Sequence, residues 1–299
     1  MIDIDLISKT SFILGGAAFS GEGGGYGFGT VDDMQVQGIL ERFIETEGIC
    51  GIDLAPIYGF RKAEKLVGGL TKQNREKFFL TSKSGVSWHP SKRVNMSNCP
   101  KVTLRMFEAS LQDLKTDYID AYFIHWPDKK IDIRRPIEVL AKKKLRGELR
   151  YIGLCNSSFD DFQKASEVDD ISIVQSEYNL FKNGFDKDLV DVAYQRKSTF
   201  WGWGTFDKGI ISGRVTKDRS FGPHDCRSWA PWWKKSNKVE KIEVMQNIFS
   251  SCPHGKEDGT KLALYHANKS DPKISPIIGV KSISDLEKIF TDIKKLNDV

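Results

Sequence analysis

The sequence of 299 residues has only five cysteines, Cys50, Cys99, Cys155, Cys226 and Cys252, with no C-x-x-C pair among them. An odd, scattered set excludes a disulfide-built miniprotein and reads as reduced thiols in a cytoplasmic protein. The opening residues, Met1-Ile-Asp-Ile-Asp5, lack the basic and apolar regions of a secretory signal. No apolar run approaches the roughly 20 residues that span a bilayer, so no membrane partner is expected. Charge of one sign is not concentrated anywhere. The 45 Lys and Arg and 40 Asp and Glu leave a formal +5 that is dispersed along the chain. That argues against a polyanion-binding tail and against nucleic acid as a partner. Linkers and low-complexity tracts are absent, and residues 1–299 read as one domain. Missing too is a G-x-G-x-x-G fingerprint. The glycines at 15, 16, 21, 23, 24, 25, 27 and 29 never form one. Gly21–Gly29 therefore reads first as a loop, with a phosphate cradle as the lesser reading.

What is present is alternation. Short apolar runs are followed by amphipathic stretches, over and over. Strands are expected at Phe12–Leu14, Ile49–Asp53, Lys77–Ser82, Tyr118–His125, Tyr151–Cys155, Ile173–Gln175, Thr199–Trp203 and Ile274–Ile278. Between them fall helices near Met34–Glu47, Ala63–Leu70, Lys101–Leu114, Asp186–Gln195 and Ser284–Leu296. One begins around Pro136, with proline in its first turn, and another is capped by Ser157 or Ser158. Two more, Lys238–Phe249 and Thr260–Asn268, follow the seventh strand. In Lys101–Leu114, Leu104, Phe107, Leu111 and Leu114 are spaced as one face of a helix. Eight such units are expected to close into a (β/α)8 TIM barrel.

In such a barrel the chemistry sits where the strands end. The second strand ends in Asp53, with Tyr58 in the following loop. The third ends in Lys83, the fourth in His125, the fifth in Cys155-Asn156 and the sixth in Gln175. An ionisable group at the end of an apolar strand is expensive unless paired. One reading is a structural Asp53–Lys83 ion pair, with Tyr58 and His125 as filler. The other is a poised acid: a lysine beside a tyrosine lowers the phenol's pKa, an aspartate holds the lysine, and a histidine binds a substrate oxygen.

The segments Gly51-Ile-Asp-Leu-Ala-Pro-Ile-Tyr-Gly59, Leu80-Thr-Ser-Lys83, Asp117-Tyr-Ile-Asp-Ala-Tyr-Phe-Ile-His125-Trp-Pro-Asp128, Ile152-Gly-Leu-Cys-Asn156 and Val174-Gln-Ser-Glu-Tyr-Asn-Leu180 decide between them. In order and spacing they resemble the aldo-keto reductase superfamily from Leu14 to about Ile293. The similarity is greatest to the branch that holds potassium channel β subunits and bacterial sugar dehydrogenases. The resemblance implies a TIM barrel that reduces aldehydes and ketones with NADPH, using Asp53, Tyr58, Lys83 and His125 as its catalytic set. It further implies that Cys155, Asn156 and Gln175 hold the nicotinamide amide, and that Trp203 stacks on the ring. Lys281, in Gly279-Val-Lys-Ser282, would meet the 2′-phosphate, with Ser282 beside it among the cofactor-binding residues. The chain departs from the family's pattern at Cys155 (for Ser), at Gly204-Thr205-Phe206 (for Ser-Pro-Leu) and at Lys288-Ile289 (for Glu-Asn).

The expected activity is thus an NADPH-dependent reduction of a small-molecule carbonyl, a sugar or sugar derivative by preference, with Tyr58 as the general acid. No obligate protein partner is evident. The same resemblance leaves open a nicotinamide-binding regulatory subunit with little turnover. All seven tryptophans map near the strand ends, and Trp88, Trp126 and Trp229 are expected to wall a substrate pocket. The alternative is a cluster that pins a long loop. Arg227 and Lys234-Lys235 in that loop read first as solvated surface, with contact to a substrate phosphate or carboxylate as the lesser reading. His224, Cys226, Cys252 and His254 match no common zinc spacing, and no metal is expected.

Overall fold

A computed structural model of the protein describes residues 2–21, 26–91, 93–270 and 272–297. Eight parallel strands pair in sequence order: β1 (Ile13–Gly15), β2 (Cys50–Asp53), β3 (Phe78–Ser84), β4 (Ile119–Ile124), β5 (Leu149–Cys155), β6 (Ile171–Asn179), β7 (Thr199–Trp203) and β8 (Ile274–Ile278). β8 pairs back onto β1, so the sheet closes into a (β/α)8 barrel. Helices α1 (Asp33–Glu47), α2 (Lys62–Thr71), α3 (Pro100–Leu114), α4 (Arg134–Leu145), α5 (Phe159–Ser166), α6 (Lys187–Gln195), α7 (Gly259–Asn268) and α8 (Ile283–Asn297) surround it. A hairpin, Val86–Trp88 against Val94–Met96, follows β3. The helix Lys238–Ser250 is inserted between β7 and α7.

The strands are buried on both faces, which is why they read as apolar runs and not as an alternation. Their outer faces meet the helices in the main core. Their inner faces fill the barrel with Ile13, Phe79, Phe123, Ile173, Trp201 and Ile277, joined by Ile7 of the N-terminal turn. Space inside is tight. A Cβ on Gly153 would stand 2.4 Å from the Phe123 ring. Caps set the helix starts. Asp32 accepts from Met34 N at 2.7 Å, and Ser158, not Ser157, forms a capping box with Asp161.

Three expectations need correction. Of the face expected on α3, Phe107, Leu111 and Leu114 meet the core, but Leu104 is exposed, and Thr103, Met106, Ser110 and Asp113 are buried with them. Ser110 Oγ lies 3.3 Å from Ser82 Oγ on β3, so a small hydroxyl residue shares that face with the apolar ones. Trp201 does not lie on the strand-end face; it is fully buried inside the barrel. Trp233 packs with Ile210, Cys226 and Met245 in a separate core that holds the loop after β7. The glycine-rich loop expected at Gly21–Gly29 lies partly outside the described residues. Among those described, no helix is long and apolar enough to cross a membrane, and no group of His, Cys, Asp and Glu could hold a metal ion.

Candidate active site

Register places the central ion pair. Asp53, at the end of β2, is the partner of Thr81 on β3. Lys83 lies two residues further, on the same face of the strand. Its Nζ reaches back to Asp53 Oδ1 at 2.7 Å and to the Leu54 carbonyl at 2.8 Å. Both side chains are almost sealed from solvent, at 0% and 4% exposure. Across the barrel, Gln175 donates from Nε2 to the same Asp53 oxygen at 2.8 Å.

Tyr58 is carried on the turn between β2 and α2. The turn is closed by Tyr58 N on the Ala55 carbonyl at 3.0 Å and by Arg61 N on the Pro56 carbonyl at 2.7 Å. Gly59, Phe60 and Arg61 all have positive φ. A Cβ on Gly59 would stand 2.4 Å from the Ser20 carbonyl oxygen. Two non-glycine residues in the left-handed region store strain directly after the tyrosine. Lys83 Nζ lies 5.3 Å from the Tyr58 ring centre. The His125 ring meets the same ring edge-on, with centres 6.2 Å apart. His125 is fixed through its backbone N–H, which donates to the Ser84 carbonyl at 2.9 Å.

The electrostatics revise one expectation. Burial, then the carboxylate of Asp53, pushes the Tyr58 phenol well above its ordinary value. In the resting protein these two effects outweigh the pull of the Lys83 ammonium, whose charge Asp53 partly matches. Tyr58 is therefore a protonated phenol at neutral pH. Burial and the nearby ammonium of Lys83 hold His125 well below the usual imidazole value, so its ring is neutral.

Cys155 and Gln175 are register partners on β5 and β6. The thiol donates to Gln175 Oε1 at 3.0 Å, and burial raises it, so it stays a thiol. Asn156, at positive φ, donates from Nδ2 to the His125 carbonyl and to Cys155 Sγ, each at 3.1 Å. Its Oδ1 accepts from Trp203 Nε1 at 3.1 Å. The five groups Asp53, Gln175, Cys155, Asn156 and Trp203 thus form one hydrogen-bonded chain along the strand ends.

These residues open into a cavity of about 1020 Å³, which runs from Tyr58 and His125 past Trp203 to the loops after β7 and β8. The sequence profile of the aldo/keto reductase family matches residues 11–297. The chain belongs to the aldo/keto reductase family. It is 29% identical to aldo-keto reductase YhdN of Bacillus subtilis over 204 residues, which cover 68% of this chain and 61% of that one. It is 25% identical to an NADH-specific methylglyoxal reductase of Escherichia coli over 280 residues, 89% of this chain and 84% of that protein. A glycerol dehydrogenase from Gluconobacter oxydans shares the fold, with a TM-score of 0.72 and 24% identity over 97% of this chain and 90% of that one.

For an aldo/keto reductase the cavity is of a size to take a dinucleotide, and its far end carries cations that suit phosphate. Lys208, Arg214, Arg219, Arg227, Lys281 and Lys288 line it. Four are matched by carboxylates: Lys208 by Glu177 and Asp207, Arg214 by Asp285, Arg227 by Asp225, and Lys288 by Asp292. Among the described residues Lys281 and Arg219 have no carboxylate within reach. Lys281 Nζ donates instead to the Phe28 carbonyl at 2.9 Å. Burial, outweighing nearby Asp225, lowers its pKa.

Several sequence-predicted residues fall elsewhere. Ser282 does not line the cavity; its Oγ accepts from Asp285 N at 3.1 Å, at the start of α8. Trp126 lines the cavity, but Trp88 packs on Phe60 behind Val86, and Trp229 is exposed outside it. Arg227 is not solvated surface. Its guanidinium is held by Asp225 and the Lys208 carbonyl. The aromatic liners that were missed include Tyr26 and Trp232, which stack with ring centres 6.2 Å apart. The Trp229–Trp233 cluster was a signal for the second. Nothing local marks Tyr26, which needs the β1 and β7 loops brought together.

Proposed function

We propose that this aldo/keto reductase reduces a small uncharged aldehyde or ketone, sugar-derived carbonyls included, with NADPH. The observation that carries the acid's assignment is the sealed Asp53–Lys83 pair beneath Tyr58 and His125. When bound, the reduced dinucleotide supplies the hydride to the carbonyl carbon. Tyr58, protonated at neutral pH, gives its proton to the carbonyl oxygen. Neutral His125 orients that oxygen by a hydrogen bond. Lys83 stabilises the phenolate left behind, and Asp53 holds Lys83 in place. Apolar and aromatic side chains close the substrate end, among them Ile57, Val86, Tyr26, Trp126 and Trp232. They supply no charge to match a charged substrate.

The preference for NADPH rests on Lys281 and Arg219, which among the described residues pair with no carboxylate. A 2′-phosphate would supply the missing anion. Asn156, Gln175 and Cys155 are placed to exchange their mutual hydrogen bonds for those of a carboxamide. Quenching of tryptophan fluorescence by NADPH and, separately, by NADH tests the reading. Tighter binding of NADPH is expected. Equal binding would overturn the 2′-phosphate assignment, and no binding of either would overturn the oxidoreductase reading.

A further inference from the structure

On the outer side of β3, behind Lys83, lies a second buried carboxyl. Glu64, on α2, has no exposed surface. Its Oε1 accepts a 2.7 Å hydrogen bond from Ser82 Oγ, and Ser82 Oγ lies 3.3 Å from Ser110 Oγ on α3. Its Oε2 has no partner among the described residues, and neither has the buried hydroxyl of Tyr122 on β4. Among the described residues no cation bonds to Glu64. The charged groups around it are Arg61 and Asp113, which pair with each other, and across β3 the Lys83–Asp53 pair. The turn Gly16–Phe19, packed on α2, carries no titratable side chain.

The position matters because of what the two elements carry. Tyr58 precedes α2, whose first turn takes up its carbonyl through Ala63 N–H at 3.3 Å. Lys83 is the residue after Ser82. The Ser82–Glu64 hydrogen bond therefore ties the element that follows the acid to the strand that presents its lysine. We propose that Glu64 is a positioning residue for the reaction, which sets Tyr58 against Lys83 through Ser82, and that loss of its proton weakens this tie. The hydroxyls of Ser82 and Ser110 favour the carboxylate, but burial outweighs them. An ionised carboxyl, without a cation, must draw in water and part α2 from β3. Burial raises its pKa to about 7. The buried groups of the site titrate elsewhere, His125 lower and Tyr58 and Cys155 higher.

This inference rests on Tyr58 and Lys83 as the reacting pair, so one of its readouts must not need turnover. The ring Cζ of carbon-13-labelled tyrosine, assigned by the loss of one resonance in Tyr58→Phe, is followed by NMR against pH in wild type and Glu64→Gln. The Tyr58 resonance is expected to show an inflection near 7 that Glu64→Gln abolishes. In kinetics the wild-type kcat falls as pH rises through the same point, and Glu64→Gln loses that step. Ser82→Ala, which cuts the tie, lowers kcat roughly tenfold at every pH with KM little changed, below the roughly hundredfold cost of a 1 Å misplacement. A wild-type Tyr58 resonance without an inflection near 7, or the same inflection in both proteins, overturns the proposal. A resonance that moves as expected in a protein that reduces no carbonyl would leave the positioning role standing and overturn the proposed reaction instead.

Discussion

Gln175 Nε2 lies 2.8 Å from Asp53 Oδ1, on the same oxygen that receives Lys83. A side chain expected only at the cofactor is thus built into the Asp53–Lys83 ion pair. Its other end accepts from Cys155, so both halves of the amide are engaged within the protein. Gln175→Ala would leave a buried carboxylate short of one donor and a thiol short of its acceptor. Orphaning buried polar groups costs about 1–3 kcal/mol. Urea unfolding of the protein without cofactor is expected to show a loss of that order. A Gln175 that served the cofactor alone would leave this stability unchanged.

Removal of the phenol hydroxyl separates chemistry from binding. Tyr58→Phe keeps the ring that packs near Ile57 and Val86 and deletes the proton donor. General acid catalysis contributes roughly 10²–10⁴-fold. The expected result is a kcat lowered by about that factor with dinucleotide affinity retained. Steady-state kinetics paired with fluorescence titration checks it, and turnover near wild type would remove Tyr58 from its role.

The barrel was legible because both faces of each strand are buried, so apolar runs separated by helical stretches leave few other folds. The Asp53–Lys83 pair was legible for a related reason: an ionisable residue ending such a run needs a partner. The direction of the Tyr58 shift was not. Proximity to Lys83 suggested a lowered pKa, yet burial and Asp53 raise it, and neither is visible without coordinates. Trp88 and Trp126 look alike in sequence, each following a strand. Only the fold of the hairpin Val86–Trp88 with Val94–Met96 sends the first against Phe60 and leaves the second at the cavity.

His125 makes stability depend on pH on the acid side. Its folded pKa lies below the ordinary 6.5 because of burial and Lys83. Between the two values the unfolded chain binds more protons than the folded one, so stability falls as pH drops below about 6.5. His125→Asn cannot titrate. The difference in melting temperature, variant minus wild type, is expected to move in the variant's favour as pH falls through that window. Glu64 acts in the opposite sense, since its raised pKa removes stability as pH rises through about 7. A flat difference for His125→Asn across the acid range would show an imidazole that is free to protonate in the fold.

Lys281 offers the sharpest test of cofactor choice, because one relative is named as NADH-specific. Among the described residues its Nζ bonds to the Phe28 carbonyl and to no carboxylate, and a phosphate at that place would receive a charge-assisted hydrogen bond from it. Hydrogen bonds to charged groups are worth about 1.5–3 kcal/mol, roughly tenfold to hundredfold in affinity. Lys281→Ala should therefore weaken NADPH by about that factor and leave NADH nearly unaffected. The loop contact to Phe28 is lost for both dinucleotides, so it cancels in the ratio. Calorimetric titration of wild type and variant with each dinucleotide gives that ratio directly. An equal loss for both would make Lys281 a strut of the β1 loop and not a reader of the 2′-phosphate.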